Sequence, residues 1–402
     1  LATLERLVQI ARNDKGNVGV DMIIPPYSSA ARSLLIEEKV KPHLGVVRPS
    51  DFRVSDGGPI DPQIVLRDPN VSLYCLDFEK ECALFVDTPD GADLLKAPFL
   101  YTAQYEAATR LIQIPFKTLH QLADEVVIDS SSLIFVHSVG RCGSTLVSRA
   151  FGEMEGVESL SEPDVATQML AEWGCDHLAG QEKLRLLRSC TLIQCAPGKI
   201  RNVRNWVFKF RSMVTVMGPL FFEAFPESKA IFLYREGTDW IKSFLRMVGS
   251  EDPVAQWPVS FLRDMFGRGI AFPESTETAS ALEIGSMMWA STMASCRGMQ
   301  QDGLPLFLTR YEELNTSPRE VLNAMFAYCD LSDRAIPNLE LVLGSDSQAG
   351  SKLSRENLST RTGQLTQQHL DDVRRMIAES GNGIKAETIL PNTYFPDSTS
   401  VQ

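Results

Sequence analysis

Arg141, Gly143, Ser144 and Thr145 stand directly behind the apolar run Leu133–Val136, with Gly140 between. A buried strand, a glycine loop and a helix start, in that order, make an anion site. The glycines let backbone N–H groups turn inward, and the first helical turn adds unpaired donors and a partial positive charge. Ser144 and Thr145 supply hydroxyls that cap the helix or bind the anion, and Arg141 supplies a fixed planar cation. An ordinary βα turn with a Ser/Thr cap is the plainer reading of a lone glycine pair. A cation, two glycines and two hydroxyls in one loop favour phosphate binding.

Further apolar runs end in polar residues in the same way. Val157–Leu160 leads into Ser161–Glu162–Pro163–Asp164, Trp206–Phe208 into Lys209–Phe210–Arg211, Ala230–Tyr234 into Arg235, and Leu304–Leu308 into Thr309–Arg310–Tyr311. Helical patterns lie between most of them. The expected fold is therefore α/β, a doubly wound parallel sheet with a P-loop-type phosphate loop. Ligands of such sheets bind outside the carboxyl ends of the strands, which puts Arg141, Glu162, Lys209, Arg235 and Tyr311 along one edge.

The loop is not the kind that hydrolyses ATP or GTP. In G-x-x-x-x-G-K-[ST] the Lys follows the second glycine. Here Ser138 stands at the first glycine, Ser144 at the Lys, and the cation precedes Gly143. The arrangement Arg141–Cys142–Gly143–Ser144–Thr145 resembles the 5′-phosphosulfate loop of sulfotransferases that use 3′-phosphoadenosine 5′-phosphosulfate (PAPS). The segment YREGTDWIKSFLR resembles their 3′-phosphate site, with Arg235 and Ser243 at the family's separation. Tyr311, in a Y-E-E-L segment, matches the aromatic near the adenine. Arg361 and Gly363 fall where many members carry an Arg-Lys-Gly run, although Thr362 replaces the Lys. The resemblance covers about 133–375.

It implies a sulfotransferase with PAPS as cofactor, adenosine 3′,5′-bisphosphate as product, and no metal. Arg141 and Lys209 are the cations expected near the leaving and transferring groups. Cytosolic members carry K-x-H at the second strand end, with the His as base. Here Arg211 takes that place and stays protonated. Glu162 is the expected base, as carbohydrate-acting members use a carboxylate. A Glu before Pro also suits a helix cap, and His137 and Asp164 are the reserves. The acceptor expected is a hydroxyl on a carbohydrate, lipid, polyketide or other small metabolite. A nucleotide kinase or NTPase-like protein, or a non-catalytic nucleotide-binding protein, are the alternatives.

Composition bounds the rest. The 402 residues are 44% hydrophobic and 22% charged, ordinary for a globular chain. A net charge of −12 argues against a general nucleic-acid or membrane-surface binder. No apolar run approaches the ~20 residues of a membrane span. Eight scattered cysteines without a C-x-x-C pair suggest a reducing, cytoplasmic setting. The amphipathic start does not read as a signal peptide, and without a leading Met the chain is expected to be processed or part of something longer.

Residues 1–125 are expected to form an α/β appendage that shapes access for the acceptor, and 126–402 the core. Within the appendage, helices are expected near Leu4–Ile10, over Ser28–Lys39 and Leu100–Leu111, and after Pro115. Residues 48–70 read as loop, and SLYCLDF and CALFVDT as a hairpin.

Overall fold

A computed structural model of the chain describes residues 31–40, 45–174, 177–248, 254, 256–258, 265–266, 278–332, 336–351, 353–359, 365–380 and 382–396. The expected helix at Leu4–Ile10, and Arg361 and Gly363, lie outside them.

The first sheet is antiparallel. Its strands are β1 (Arg32–Lys39), β2 (Phe52–Pro59), β3 (Val71–Asp77), β4 (Cys82–Asp87) and β5 (Arg110–Pro115), in the order β2-β1-β5-β4-β3. The hairpin read from SLYCLDF and CALFVDT is β3–β4. Three other readings are corrected. Within the helix expected over Ser28–Lys39, of which residues 28–30 lie outside the described residues, Arg32–Lys39 is strand β1: the helix-forming run Glu37–Lys39 is outweighed by pairing with β2 on one side and β5 on the other. Residues 48–70 contain β2, an edge strand where Gly57, Gly58 and Pro59 do little harm. The helix begun at Leu100, α1 (Leu100–Ala107), stops early, because Arg110–Pro115 is the central strand joining β1 to β4. Helix α2 (Phe116–Asp124) follows Pro115 as expected.

The second sheet is parallel. Its six strands are β6 (Leu133–Ser138), β7 (Val157–Ser161), β8 (Asn205–Lys209), β9 (Lys229–Tyr234), β12 (Leu306–Arg310) and β13 (Thr393–Tyr394), in the order β13-β12-β9-β6-β8-β7; β10 (Gln256–Pro258) and β11 (Thr278–Ser280) form a separate small ribbon. Strands β6, β7 and β8 are buried at every position, as apolar runs covered on both faces should be. Between them run α3 (Ser144–Gly152), α4 (Val165–Trp173), α5 (Gln181–Ile200), α6 (Gly218–Ala224), α7 (Gly237–Val248), α8 (Ala281–Gln301), α9 (Tyr311–Thr316) and α10 (Pro318–Tyr328). The chain passes from β6 toward β8 and β7 on one side, then to β9 and β12 on the other. The crevice at the end of β6 is thus the switch point, where α/β sheets bind ligands.

The two sheets share one apolar core. It runs from Leu73, Leu76 and Phe85 of the first sheet to Leu133, Phe135 and Ile231 of the second. The Gln168 side chain, on α4, accepts from the Leu76 amide (2.7 Å) and donates to the Leu76 carbonyl (2.5 Å). No described helix is long and apolar enough to cross a membrane.

Candidate functional site

A cleft of about 750 Å³ opens at the carboxyl edge of the parallel sheet, within the range that takes small ligands. Arg141, Gly143, Ser144, Thr145, Glu162, Lys209, Arg235, Ser243 and Tyr311 all line it. Its two ends differ in how their charges are partnered.

The first end is built on the loop between β6 and α3. Gly140, Arg141 and Gly143 have φ of 75°, 52° and 84°, the left-handed region. For Arg141 this is a strained conformation, and such strain gathers at binding sites. Gly143 could not be replaced without movement, because an added Cβ would lie 2.8 Å from Leu314 Cδ2. The indole Nε1 of Trp240 donates to the carbonyls of Val139 (2.9 Å) and Gly140 (2.8 Å), fixing the loop from α7. Among the described residues, no hydrogen bond uses the amides of Arg141, Cys142 or Gly143. Those amides, with the open first turn of α3, form a concave donor set. The Cys142 side chain does not take part: it is buried and its thiol points at the Leu233 carbonyl (3.4 Å).

Three arginines converge there. Arg141 donates from Nε to Ser243 Oγ (3.3 Å) and from Nη1 to Gln348 Oε1 (2.8 Å), both neutral. Arg235 lies over the Tyr311 ring, 4.4 Å from its centroid, and its buried Nε has no hydrogen-bond partner among the described residues. Arg246 also lines the cleft. Burial, and then the like charges of Arg246 and Arg235, pull the Arg141 guanidinium below its usual pKa. Asp239, on the same helix as Ser243, feels Arg235 and Arg246, and its carboxyl is lowered first by Lys242 and then by these two; cations gathered this closely favour an anion between them.

At the other end, every charge already has a partner. Lys209, buried at the end of β8, makes an ion pair with Glu162 at the end of β7. Arg211 Nε is 2.8 Å from Asp164 Oδ1 and 3.7 Å from Glu162 Oε2, and Nη2 donates to the Gly45 carbonyl (3.0 Å). The Arg211 guanidinium lies 4.2 Å from the Tyr101 ring centroid. Asp164 accepts from the Val47 amide (2.9 Å) through its other oxygen. Burial raises the Asp164 carboxyl to about 6, against the opposing pull of Arg211. Glu162 has φ 60°, so its backbone too is strained, and its amide donates to the Lys209 carbonyl (2.7 Å).

Several sequence readings are refined by this geometry. Glu162 does not cap α4, since the N-cap position is Asp164 and the Glu162 carboxylate turns to Lys209. Asp164, a reserve base, is committed to Arg211 and Val47. His137, the other reserve, is absent from the cleft lining. Its ring packs near Phe210 and Phe221 (centroids 5.4 and 6.3 Å), neither nitrogen has a hydrogen-bond partner among the described residues, and burial lowers its pKa to about 3. The catalytic part given to His137 is therefore withdrawn, because a neutral ring sealed in the core cannot reach an acceptor.

Trp240, Arg246 and Gln348 were missed. Trp240 and Arg246 stand three residues either side of Ser243 on α7, so helical spacing from Ser243 was a usable signal. Gln348 carried none: it lies far along the chain, on a segment tied down where Arg149 Nη1 donates to Ser345 Oγ (3.3 Å) and the Asp346 carbonyl (3.2 Å).

No family model matches the chain, and no curated protein does. Among solved structures it is similar to a sulfotransferase domain from the curacin biosynthetic pathway (18% identity, 62% of this chain and 92% of that one, TM-score 0.36). It is also similar to a Mycobacterium tuberculosis sulfotransferase (13%, 65% and 82%, TM-score 0.39). A third is the sulfotransferase domain of a Synechococcus olefin synthase (11%, 61% and 94%, TM-score 0.33). At such identities and TM-scores these likenesses establish neither family nor activity, and the site itself must carry the functional argument.

Proposed function

We propose that the chain is a sulfotransferase that takes a sulfuryl group from PAPS, passes it to an acceptor hydroxyl and leaves adenosine 3′,5′-bisphosphate. The observation that carries this reading is the meeting of two cation–hydroxyl sets in one cleft: Arg141 with Ser144 and Thr145, and Arg235 with Ser243. A nucleotide phosphorylated only at its 5′ end needs one such set. One with phosphates at both ends of the ribose needs two.

The residues present fit that cofactor. The orphaned Arg235 Nε and the open amides of the Arg141–Gly143 loop are donors awaiting oxygen acceptors. Arg141, Cys142 through its amide, Gly143, Ser144 and Thr145 would hold the 5′ group, Arg235 and Ser243 the 3′-phosphate, and Tyr311 the base. When bound, PAPS supplies an electrophilic sulfur on a phosphate leaving group. Arg141 stabilises the negative charge that grows as the bond breaks, and Lys209 joins it once Glu162, its counter-charge, is neutralised by the acceptor's proton. Glu162 takes the acceptor's proton at a carboxylate oxygen, held there by Lys209 and, more distantly, Arg211. Arg211 keeps its own proton: burial acts to lower its pKa, but Asp164, Tyr101 and Glu162 together raise it. We divide the chain at 125/126, with the first part forming a wall of the acceptor end through Phe99 and Tyr101.

Calorimetric titration with adenosine 3′,5′-bisphosphate, AMP, ATP and GTP tests the reading. The bisphosphate should bind far more tightly than AMP, and equal affinities would end the assignment. Transfer of labelled sulfate from PAPS then separates an enzyme from a protein that only binds the nucleotide.

A further inference from the structure

We propose that the acceptor end takes an uncharged, apolar alcohol or phenol, in preference to a carbohydrate or a charged acceptor. The inference rests on the sulfotransferase reading and narrows it. Its basis is what remains unpartnered around Glu162 and Lys209.

Phe99, Tyr101, Phe210 and Met213 line the cleft at this end. Phe99 lies 6.0 Å from Lys209 Nζ, Tyr101 carries Arg211 on its ring, and Phe210 stands between Lys209 and Arg211 in the chain. Met213 is half-buried, whereas the three aromatics are largely buried and therefore rigid.

The charged groups are already paired. Lys209 is committed to Glu162, and Arg211 to Asp164 and the Gly45 carbonyl, while Asp164 also holds the Val47 amide. A charged substituent on the acceptor would be desolvated here without a counter-charge. A sugar would bring several hydroxyls, each needing a partner on a wall of rings and the Met213 thioether where Ser212 adds a single hydroxyl. The Glu162 carboxylate, whose second oxygen stands 3.7 Å from Arg211, offers a place for one hydroxyl. One hydroxyl on an apolar body is the acceptor that leaves nothing unpaired.

The test is calorimetry on the protein saturated with adenosine 3′,5′-bisphosphate, titrated with 2-naphthol, 1-octanol and N-acetylglucosamine. Naphthol and octanol should bind at least roughly tenfold more tightly than the sugar. Met213→Ala should weaken both apolar ligands roughly tenfold and Met213→Leu should restore them, with bisphosphate affinity the same in both variants. Tighter binding of the sugar, binding of none of the three, or indifference to Met213→Ala overturns the inference and leaves the sulfotransferase reading standing. Failure of the bisphosphate itself to bind overturns that reading first, and the acceptor inference with it.

Discussion

The two ends of the cleft are both rich in cations, yet the cations do different work. At the loop end Arg141 meets Ser243 and Gln348, and Arg235 meets the face of Tyr311; among the described residues neither makes an ion pair, Asp239 acting on Arg235 only through space. At the other end Lys209 and Arg211 are paired with Glu162 and Asp164. A cation with neutral partners keeps its attraction for a ligand and raises the local potential. A cation locked to a buried carboxylate has used that attraction to fix geometry, and removing it strands the partner. Counting arginines and lysines would rank the ends as equals. Their partners make one an anion receptor and the other a frame.

The comparison breaks most sharply at Glu162. Glu162→Gln keeps the shape of the side chain and removes its basicity, so turnover should fall about 10²–10⁴-fold, with adenosine 3′,5′-bisphosphate affinity nearly unchanged. Normal turnover would reduce the Glu162–Lys209 pair to a structural strut.

Arg211→Ala and Arg235→Ala test the contrast directly. Deleting Arg211 leaves Asp164 buried without its counter-charge, and such losses cost about 3–5 kcal/mol, readable as a lower urea midpoint. Deleting Arg235 should change stability by no more than about 1 kcal/mol. It should instead cut the preference for the bisphosphate over AMP by about 1.5–3 kcal/mol, the usual worth of a hydrogen bond to a charged group. If Arg235→Ala unfolds the protein while Arg211→Ala is silent, the two ends have been assigned the wrong way round.

The smallest effect on turnover is expected at His137, which belongs to neither end. Burial holds its pKa at about 3, below the ordinary 6.5. Between those values the unfolded chain binds more protons than the folded one, so stability contributed by the neutral ring is complete above pH 6.5 and falls away as pH drops toward 3. His137→Phe should flatten that part of the stability–pH curve and leave turnover within about twofold, the ring having no contact with the reacting groups. Loss of activity in this variant would return His137 to the chemistry.

Local sequence carried much of the site. A short run such as Leu133–Val136, closed by Gly140 and Gly143, reads as a covered strand leading into a turn, because its length, branched residues and flanking glycines are local signals. From that, Arg141, Ser144 and Thr145 were legible, as were Arg235 and Ser243 through their spacing on a strand end and a helix. The parallel sheet followed from the same repetition. The antiparallel sheet did not: β1, β2 and β5 have weak or contrary local preferences, and partners far along the chain make them strands.

What only the tertiary structure decided is which charges are spent. His137 and Glu162 both follow apolar strand runs, and the sequence offers the first as a reserve base and the second as the expected one. Packing seals the first against Phe210 and Phe221 and sets the second beside Lys209. The partners of Arg211 come from Asp164, from Gly45 and from Tyr101, segments that no local pattern links to it. Residue type fixes that a side chain is charged. Whether the charge is free to act depends on its neighbours in space, and the fold alone supplies those.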